Sequence, residues 1–300
     1  MAMPLVETKN LKKYFKTGAG MLHAVEDVNL KIMPGKTLGV VGESGCGKST
    51  LGRTILRLQP ATSGEVLYNG ENILKYKGKD MQKIHLNMQM VFQDPYSSLD
   101  PRMSVHNLIA EPVQVCGLLK TKAEINEHVR EIMDMCGLPA DQANLFPHEL
   151  DGGLRQRVGL ARAMAVSPKF IVCDEPVSAL DVSIQAQILN LLMDLQEQRE
   201  LSYMFITHDL CVVKHAKTAE LFANPVHPYT KALLHAVPTI DLSKRNREGF
   251  MLRGEVTSPI NPAPGCRFAP RCPYATDKCK ENVCLKEVSP DHFVACSLCD

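Results

Sequence analysis

Tryptophan is absent from these 300 residues and aromatics reach only 5%, a scarcity that by itself excludes nothing. Other absences say more. No run approaches about 18 consecutive apolar residues, so no segment is expected to cross a membrane as a helix. The opening Met1-Ala2-Met3-Pro4-Leu5-Val6-Glu7 lacks the basic-then-apolar pattern of a secretory leader. The chain is therefore expected to stay in the cytoplasm, set against a membrane through a partner if at all. Charge of one sign is not in excess. The formal net charge of +1 leaves no broad electrostatic footprint for nucleic acid. What is present suits a soluble fold: 45% apolar residues can bury a sizeable core, and 22% charged residues is ordinary. The length allows one large domain or a core with appendages.

Cysteine is unevenly spread. Five lie scattered in residues 1–211, where a reducing compartment leaves them as small apolar side chains. Six crowd into the last 35 residues: Cys266, Cys272, Cys279, Cys284, Cys296 and Cys299. In a cytosolic chain that density points to metal or cluster ligation more than to disulfides.

One stretch organises the chemistry. Gly42-Glu43-Ser44-Gly45-Cys46-Gly47-Lys48-Ser49-Thr50 fits the phosphate-loop pattern G-x-x-x-x-G-K-[ST]. Before it, Thr37-Leu38-Gly39-Val40-Val41 reads as a buried parallel strand. After it, residues 50–58 read as a helix with Leu51, Ile55 and Leu58 on one face. Glycines let backbone N–H groups curl around a phosphate, and the helix start adds partial positive charge. Lys48 would reach the β- and γ-phosphates of ATP, and the Ser49 hydroxyl would bind Mg²⁺. The alternative is a Gly/Ser-rich turn before an ordinary helix. Such turns are common, but they rarely carry Gly, Lys and Ser in register after a strand.

Upstream, residues 5–33 alternate and turn as antiparallel strands. Tyr14 among them is an aromatic that would either stack on a nucleotide base or pack on the core. Downstream, residues 63–70 look like a short hairpin closed by Gly70, and 87–95 like a strand running into a loop. From about 104 to 165 the period is helical, with Ile125, Val129, Ile132 and Met133 on one face, and Gly137-Leu138-Pro139 ends that helix. Strand character returns at Phe170-Ile171-Val172-Cys173, which leads into Asp174-Glu175. Two acids at a buried strand end are costly unless a cation compensates. Asp174 would hold Mg²⁺ and Glu175 would orient or deprotonate a water, the alternative being an exposed acidic loop. A helix follows over about 183–199. The strand Ser202–Thr207 then delivers His208 to its tip, where ligands of open α/β sheets sit.

With these pieces in order, the chain resembles the ATP-binding subunit of an ABC transporter, from about residue 5 to the end. The resemblance makes 42–50 the Walker A segment, 170–175 Walker B, Gln93 the Q-loop glutamine, Ser178-Ala179-Leu180-Asp181 the D-loop and His208 the switch histidine. It puts Tyr14 at the adenine-stacking position. Leu150-Asp151-Gly152-Gly153-Leu154 stands where the family carries Leu-Ser-Gly-Gly-Gln, the signature that closes on a partner's ATP. Implied site residues are Glu175, His208 and Gln93 for catalysis and Ser49, Gln93 and Asp174 for Mg²⁺. Tyr14, Gly42, Glu43, Ser44, Gly45, Cys46, Gly47, Lys48, Ser49 and Thr50 would bind ATP, with Asp151, Gly152 and Gly153 facing the partner's ATP. The implied fold is α/β: a P-loop NTPase (RecA-like) core with an antiparallel β subdomain (1–97 and 166–222), an inserted α-helical subdomain (98–165) and a Cys-rich C-terminal extension (223–300).

Asn224-Pro225-Val226-His227-Pro228-Tyr229-Thr230, Gly265–Pro273 and Val91–Pro101 are similar to importers of oligopeptides, dipeptides or nickel. The resemblance implies a subunit that hydrolyses ATP to drive peptide import, held at the cytoplasmic face of the membrane. Its partners would be a second ABC ATPase subunit, two permease subunits and an extracytoplasmic peptide-binding protein, with no nucleic acid. Cys266, Cys272, Cys279 and Cys296 match positions that can hold a [4Fe–4S] cluster; zinc or four reduced thiols are the alternatives.

The chain departs from the family in two ways. Asp151 replaces a serine that would donate to a γ-phosphate, and a carboxylate there adds like-charge repulsion; Leu154 replaces a polar glutamine. This implies a heterodimer with one strong and one degenerate site, or, as the alternative, a subunit that binds nucleotide with impaired hydrolysis. Second, the residues after His208 run almost directly into 216–222, leaving no room for two further strands and uncovering a sheet edge.

Overall fold

Alternation of apolar and polar residues from position 5 onward makes a long hairpin, β1 (Val6–Thr17) and β2 (Gly20–Ile32). The computed structural model describes residues 3–178, 180–210, 223–236, 254–281, 283–289 and 292–299. After β2 come β3 (Thr37–Val41) and α1 (Lys48–Ile55), then β4 (Ser63–Tyr68) and β5 (Glu71–Asn72). The turn between β4 and β5 is Asn69-Gly70, with φ of +48° and +81°, the left-handed pair that a tight hairpin demands. Next are α2 (Gly78–Asn87), β6 (Met88–Val91) and the short α3 (Pro95–Ser98). Helices α4 (Val105–Val115), α5 (Lys122–Met135) and α6 (Gly152–Met164) precede β7 (Phe170–Asp174), α7 (Val182–Arg199) and β8 (Ser202–Thr207). Helix α8 (Pro228–Ala236) and the pair β9 (Lys286–Ser289) and β10 (His292–Val294) follow.

The described chain divides into two units. The first holds residues 1–13 and 25–208. Its central sheet is parallel, in the order β3-β8-β7-β6. Strands β7 and β8 are buried at every residue, as apolar strands covered on both faces must be. Strand β3 is half-buried throughout and forms one edge of this sheet among the described residues. A second, antiparallel sheet has the order β2-β1-β4-β5. Leu11, Ile32, Ile55, Leu56, Val66, Ile73, Phe170, Val172, Met204 and Ile206 share one core with both sheets and α1. Full burial of Ile55 or Leu56 contributes about 1.5–3 kcal/mol each.

The helical stretch is built locally. Ser104 caps α4, and Thr121 with Glu124 forms a capping box on α5. The expected apolar face of α5, Ile125, Val129, Ile132 and Met133, is buried. Gly137, at φ +64°, follows its end. One boundary differs from expectation: α1 covers 48–55, not 50–58. It starts directly after Gly47, and Arg57 at φ +56° turns the chain out of the helix.

The second unit holds residues 14–24 and 209–300. Met21 and Asn261 exchange two hydrogen bonds of 2.8 Å, and the His23 N–H donates to the Pro259 carbonyl at 2.9 Å. Residues 259–261 thus run alongside the far end of the β1–β2 hairpin. The expected loss of strands after His208 falls on a segment of which residues 211–222 lie outside the described residues.

Candidate functional site

Strand β3 ends at Val41 and the loop to α1 turns on Gly45 and Gly47, at φ +75° and +98°. Side chains other than glycine rarely adopt that conformation, and it faces successive N–H groups inward. Lys48, the first residue of α1, is buried and donates from Nζ to the carbonyls of Gly42 (2.8 Å) and Glu43 (2.9 Å). Its ammonium therefore lies within the loop's own mouth.

The Ser49 hydroxyl donates to Asp174 Oδ1 at 2.7 Å, joining the loop to the end of β7 across 125 residues of sequence. Asp174 is 0% exposed, and its Oδ2 has no hydrogen-bond partner. Among the described residues, Arg53 brings a cation to that oxygen, with Nη2 at 4.0 Å. Burial pushes the Asp174 carboxyl above the usual carboxylate range; the hydrogen bond from Ser49 and the charges of Arg53 and Lys48 pull the other way. A hydroxyl beside a buried carboxylate with an unsatisfied oxygen is a hard oxygen donor set, and it fits Mg²⁺.

Glu175 follows with φ +46°, a left-handed conformation costly for a residue with a side chain. Its N–H donates to the Ile206 carbonyl at 2.9 Å, so the neighbouring strand tip holds this bend. Each carboxylate oxygen has its own contact. Gln93 Nε2 donates to Oε2 at 2.8 Å, and His208 Nδ1 lies 3.4 Å from Oε1. The Glu175 side chain is largely buried, while that of His208 is 57% exposed. Two residues, from the ends of β6 and β8, thus converge on the one carboxylate that follows β7.

The signature segment is engaged elsewhere. Asp151 Oδ1 accepts the Leu154 N–H at 2.8 Å and caps α6. A Cβ on Gly153 would come within 2.8 Å of Ile184 on α7, and one on Gly152 within 3.1 Å of Leu180. Tyr14 lies in the second unit, its ring stacked on His23 with centroids 3.9 Å apart and 21° between planes.

Also in the second unit, Cys266, Cys272, Cys279 and Cys296 line one small cleft together with His227. Hydrogen bonds from Ser297 and from the Thr276 backbone hold the Cys279 thiol below its ordinary range, and burial pushes Cys272 up. Among the described residues no three His, Cys, Asp or Glu side chains converge on a single metal ion. No described helix is long and apolar enough to cross a membrane.

Two local features escaped sequence reasoning. Arg53 lies four residues after Ser49, a spacing that puts both on one helix face and could have flagged it. The capping role of Asp151 was legible from its place just before a helix, since Asp and Ser cap alike.

A model of the ABC transporter family matches residues 25–178, and one of the oligopeptide/dipeptide transporter C-terminal region matches 213–279. The oligopeptide transport ATP-binding protein AppF of Bacillus subtilis is 45% identical, over 98% of this chain and 97% of that protein. OppF, of the same name and organism, is 45% identical over 99% and 97%. A putative peptide import ATP-binding protein of Brucella ovis is 43% identical over 98% and 97%. These alignments to AppF and OppF run to 320 and 315 positions against 300 residues here, so those relatives carry residues that this chain lacks. Among solved structures, a dimeric ATP-binding cassette in a post-hydrolysis state with ADP and phosphate superposes with a TM-score of 0.65 and 31% identity. It covers 71% of this chain and 91% of that one.

Proposed function

The chain belongs to the ABC transporter family, and we propose that it binds and hydrolyses MgATP as the motor subunit of a peptide importer. One observation carries the catalytic part. Ser49 and Asp174 touch beneath the phosphate loop, and the next residue, Glu175, has its two oxygens separately engaged by Gln93 and His208.

In this reading Tyr14 stacks on the adenine. The N–H groups from Gly42 to Thr50, with Glu43, Ser44, Gly45, Cys46 and Gly47 between, cradle the phosphates. Lys48 exchanges its two carbonyl partners for β- and γ-phosphate oxygens. Ser49, Asp174 and Gln93 would hold Mg²⁺, which would neutralise charge on the phosphate oxygens. Glu175 takes a proton from the attacking water while the water oxygen bonds to the γ-phosphorus. The bond to the bridging oxygen breaks, and ADP keeps that electron pair. His208 contacts the γ-phosphate through the exposed part of its side chain.

The chain works beside permease subunits as a peripheral component, at the cytoplasmic face in this proposal, with an extracytoplasmic peptide-binding protein supplying cargo. Residues 98–165 act as the helical subdomain of a core formed by 1–97 and 166–222, with 223–300 as the extension. An apolar groove lined by Leu58, Met90 and Phe92 of the core and Leu99, Pro112 and Val115 of the helical stretch supports permease docking at those residues. The second ATPase is a different subunit. Asp151 keeps the cap that serine would supply but brings a carboxylate to the partner's γ-phosphate, so the site closed by Asp151, Gly152 and Gly153 is the weak one. The cleft of Cys266, Cys272, Cys279 and Cys296 is proposed to hold a [4Fe–4S] cluster, because four thiols lining one cleft are the donor set such a cluster takes; a single zinc ion takes the same set. An iron–sulfur absorbance in anaerobically purified protein tests that assignment.

Reconstitution with permease, partner ATPase and binding protein tests the whole. ATP-dependent peptide uptake that Glu175→Gln abolishes is expected, and uptake unaffected by that change would refute the reading.

A further inference from the structure

Four residues along an α-helix is close to one turn, so Ser49 and Arg53 project from the same side of α1. Both point at Asp174. Ser49 takes Oδ1 with a 2.7 Å hydrogen bond, and Arg53 brings Nη2 to 4.0 Å from Oδ2. The carboxylate is fully buried, and burying an ionised group without an opposite charge is expensive. The other cation near the loop, Lys48, donates to the Gly42 and Glu43 carbonyls.

Arg53 is close to Asp174 without being seated on it. At 4.0 Å the pair is an ion pair but not a hydrogen bond. Asp174 Oδ2 has no hydrogen-bond partner, and neither does Arg53 Nε, which is itself buried. The Arg53 side chain is 43% exposed, so the guanidinium has a way out to solvent. The arrangement balances charge without locking geometry.

We propose that Arg53 is a positioning residue: a displaceable counter-charge for Asp174 that stabilises the metal-free chain and must yield when a divalent cation takes the carboxylate. This rests on the reading of Ser49 and Asp174 as the cation-holding pair. Arg53 thereby competes with magnesium and raises the concentration at which the site fills. A partly exposed ion pair supports an effect of up to about five-fold in the magnesium dissociation constant.

The test uses the full chain with Arg53→Gln, Arg53→Lys, Asp174→Asn and the Arg53→Gln/Asp174→Asn double variant. Melting is followed by calorimetry in EDTA, and magnesium is titrated at fixed ADP. Arg53→Gln should melt lower without metal and bind magnesium up to about five-fold more tightly, with Arg53→Lys nearer wild type. In the Asp174→Asn background the Arg53 change should move neither reading. A melting loss of the same size in that background would overturn the proposal, because it would mark Arg53 as a packing residue. Unchanged magnesium affinity in Arg53→Gln would overturn it too. If Asp174→Asn alone leaves the magnesium response intact, the underlying assignment of Asp174 fails instead.

Discussion

Replacing Asp174 by asparagine should raise the melting temperature of the nucleotide-free chain and remove its response to magnesium. The carboxylate is 0% exposed, one oxygen is hydrogen-bonded to Ser49 and the other has no hydrogen-bond partner. A neutral buried polar atom left in that condition costs about 1–3 kcal/mol, and a charged one costs more. Asparagine keeps the size and an oxygen for the Ser49 hydroxyl and removes the charge, leaving only the smaller, neutral cost of an amide nitrogen in the place of Oδ2. For a unit of this length the gain corresponds to roughly 2–4 °C per kcal/mol. The sign of the pH dependence follows from the raised carboxyl of Asp174. An unfolded aspartate loses its proton near about 3.9, whereas the folded one keeps it to higher pH. Between those points the native state binds more protons, so wild-type stability declines as pH rises through the window, and the decline should flatten in the variant. Calorimetric melts from acidic to neutral pH, with and without magnesium and ADP, check both parts. A variant that melts lower than wild type in EDTA, or that still gains stability from magnesium, would refute the reasoning.

Two further outcomes are expected. Glu175→Gln should keep nucleotide affinity and its contacts with Gln93 and His208 while turnover falls about 10²–10⁴-fold, read by single-turnover hydrolysis in the assembled complex. Asp151→Ser should leave the melting temperature of the chain nearly unchanged, because either residue caps α6, yet raise hydrolysis at the site this signature closes. Equal turnover at both sites before and after the change would remove the case for asymmetry.

The local parts of the site were readable in advance because each is a matter of neighbouring residues. The strand, the glycine loop and the lysine at a helix start follow from backbone freedom and period within about 20 residues. The paired acids at the end of β7 were readable because an apolar strand ending in Asp174-Glu175 needs a compensating cation. Composition, period and spacing could not supply convergence, which came only from the resemblance that grouped Gln93, Glu175 and His208. Gln93 and Glu175 are 82 residues apart, and only the parallel order β3-β8-β7-β6 places β6, β7 and β8 ends around one carboxylate. The left-handed φ of Glu175 was likewise hidden, since its local sequence would suit an ordinary strand end. Asp151 keeps the capping oxygen that serine would supply but loses the hydroxyl donor and adds a charge, and only those last two differences are visible without the helix in place.

Isothermal titration of the full chain with MgATP, in the Glu175→Gln background so that nothing turns over, tests most directly whether a triphosphate is held between Lys48 and the pair Asp174 and Glu175. Saturable binding heat that Lys48→Ala abolishes is predicted. Absence of heat with Lys48 intact, or undiminished affinity without it, would contradict the assignment.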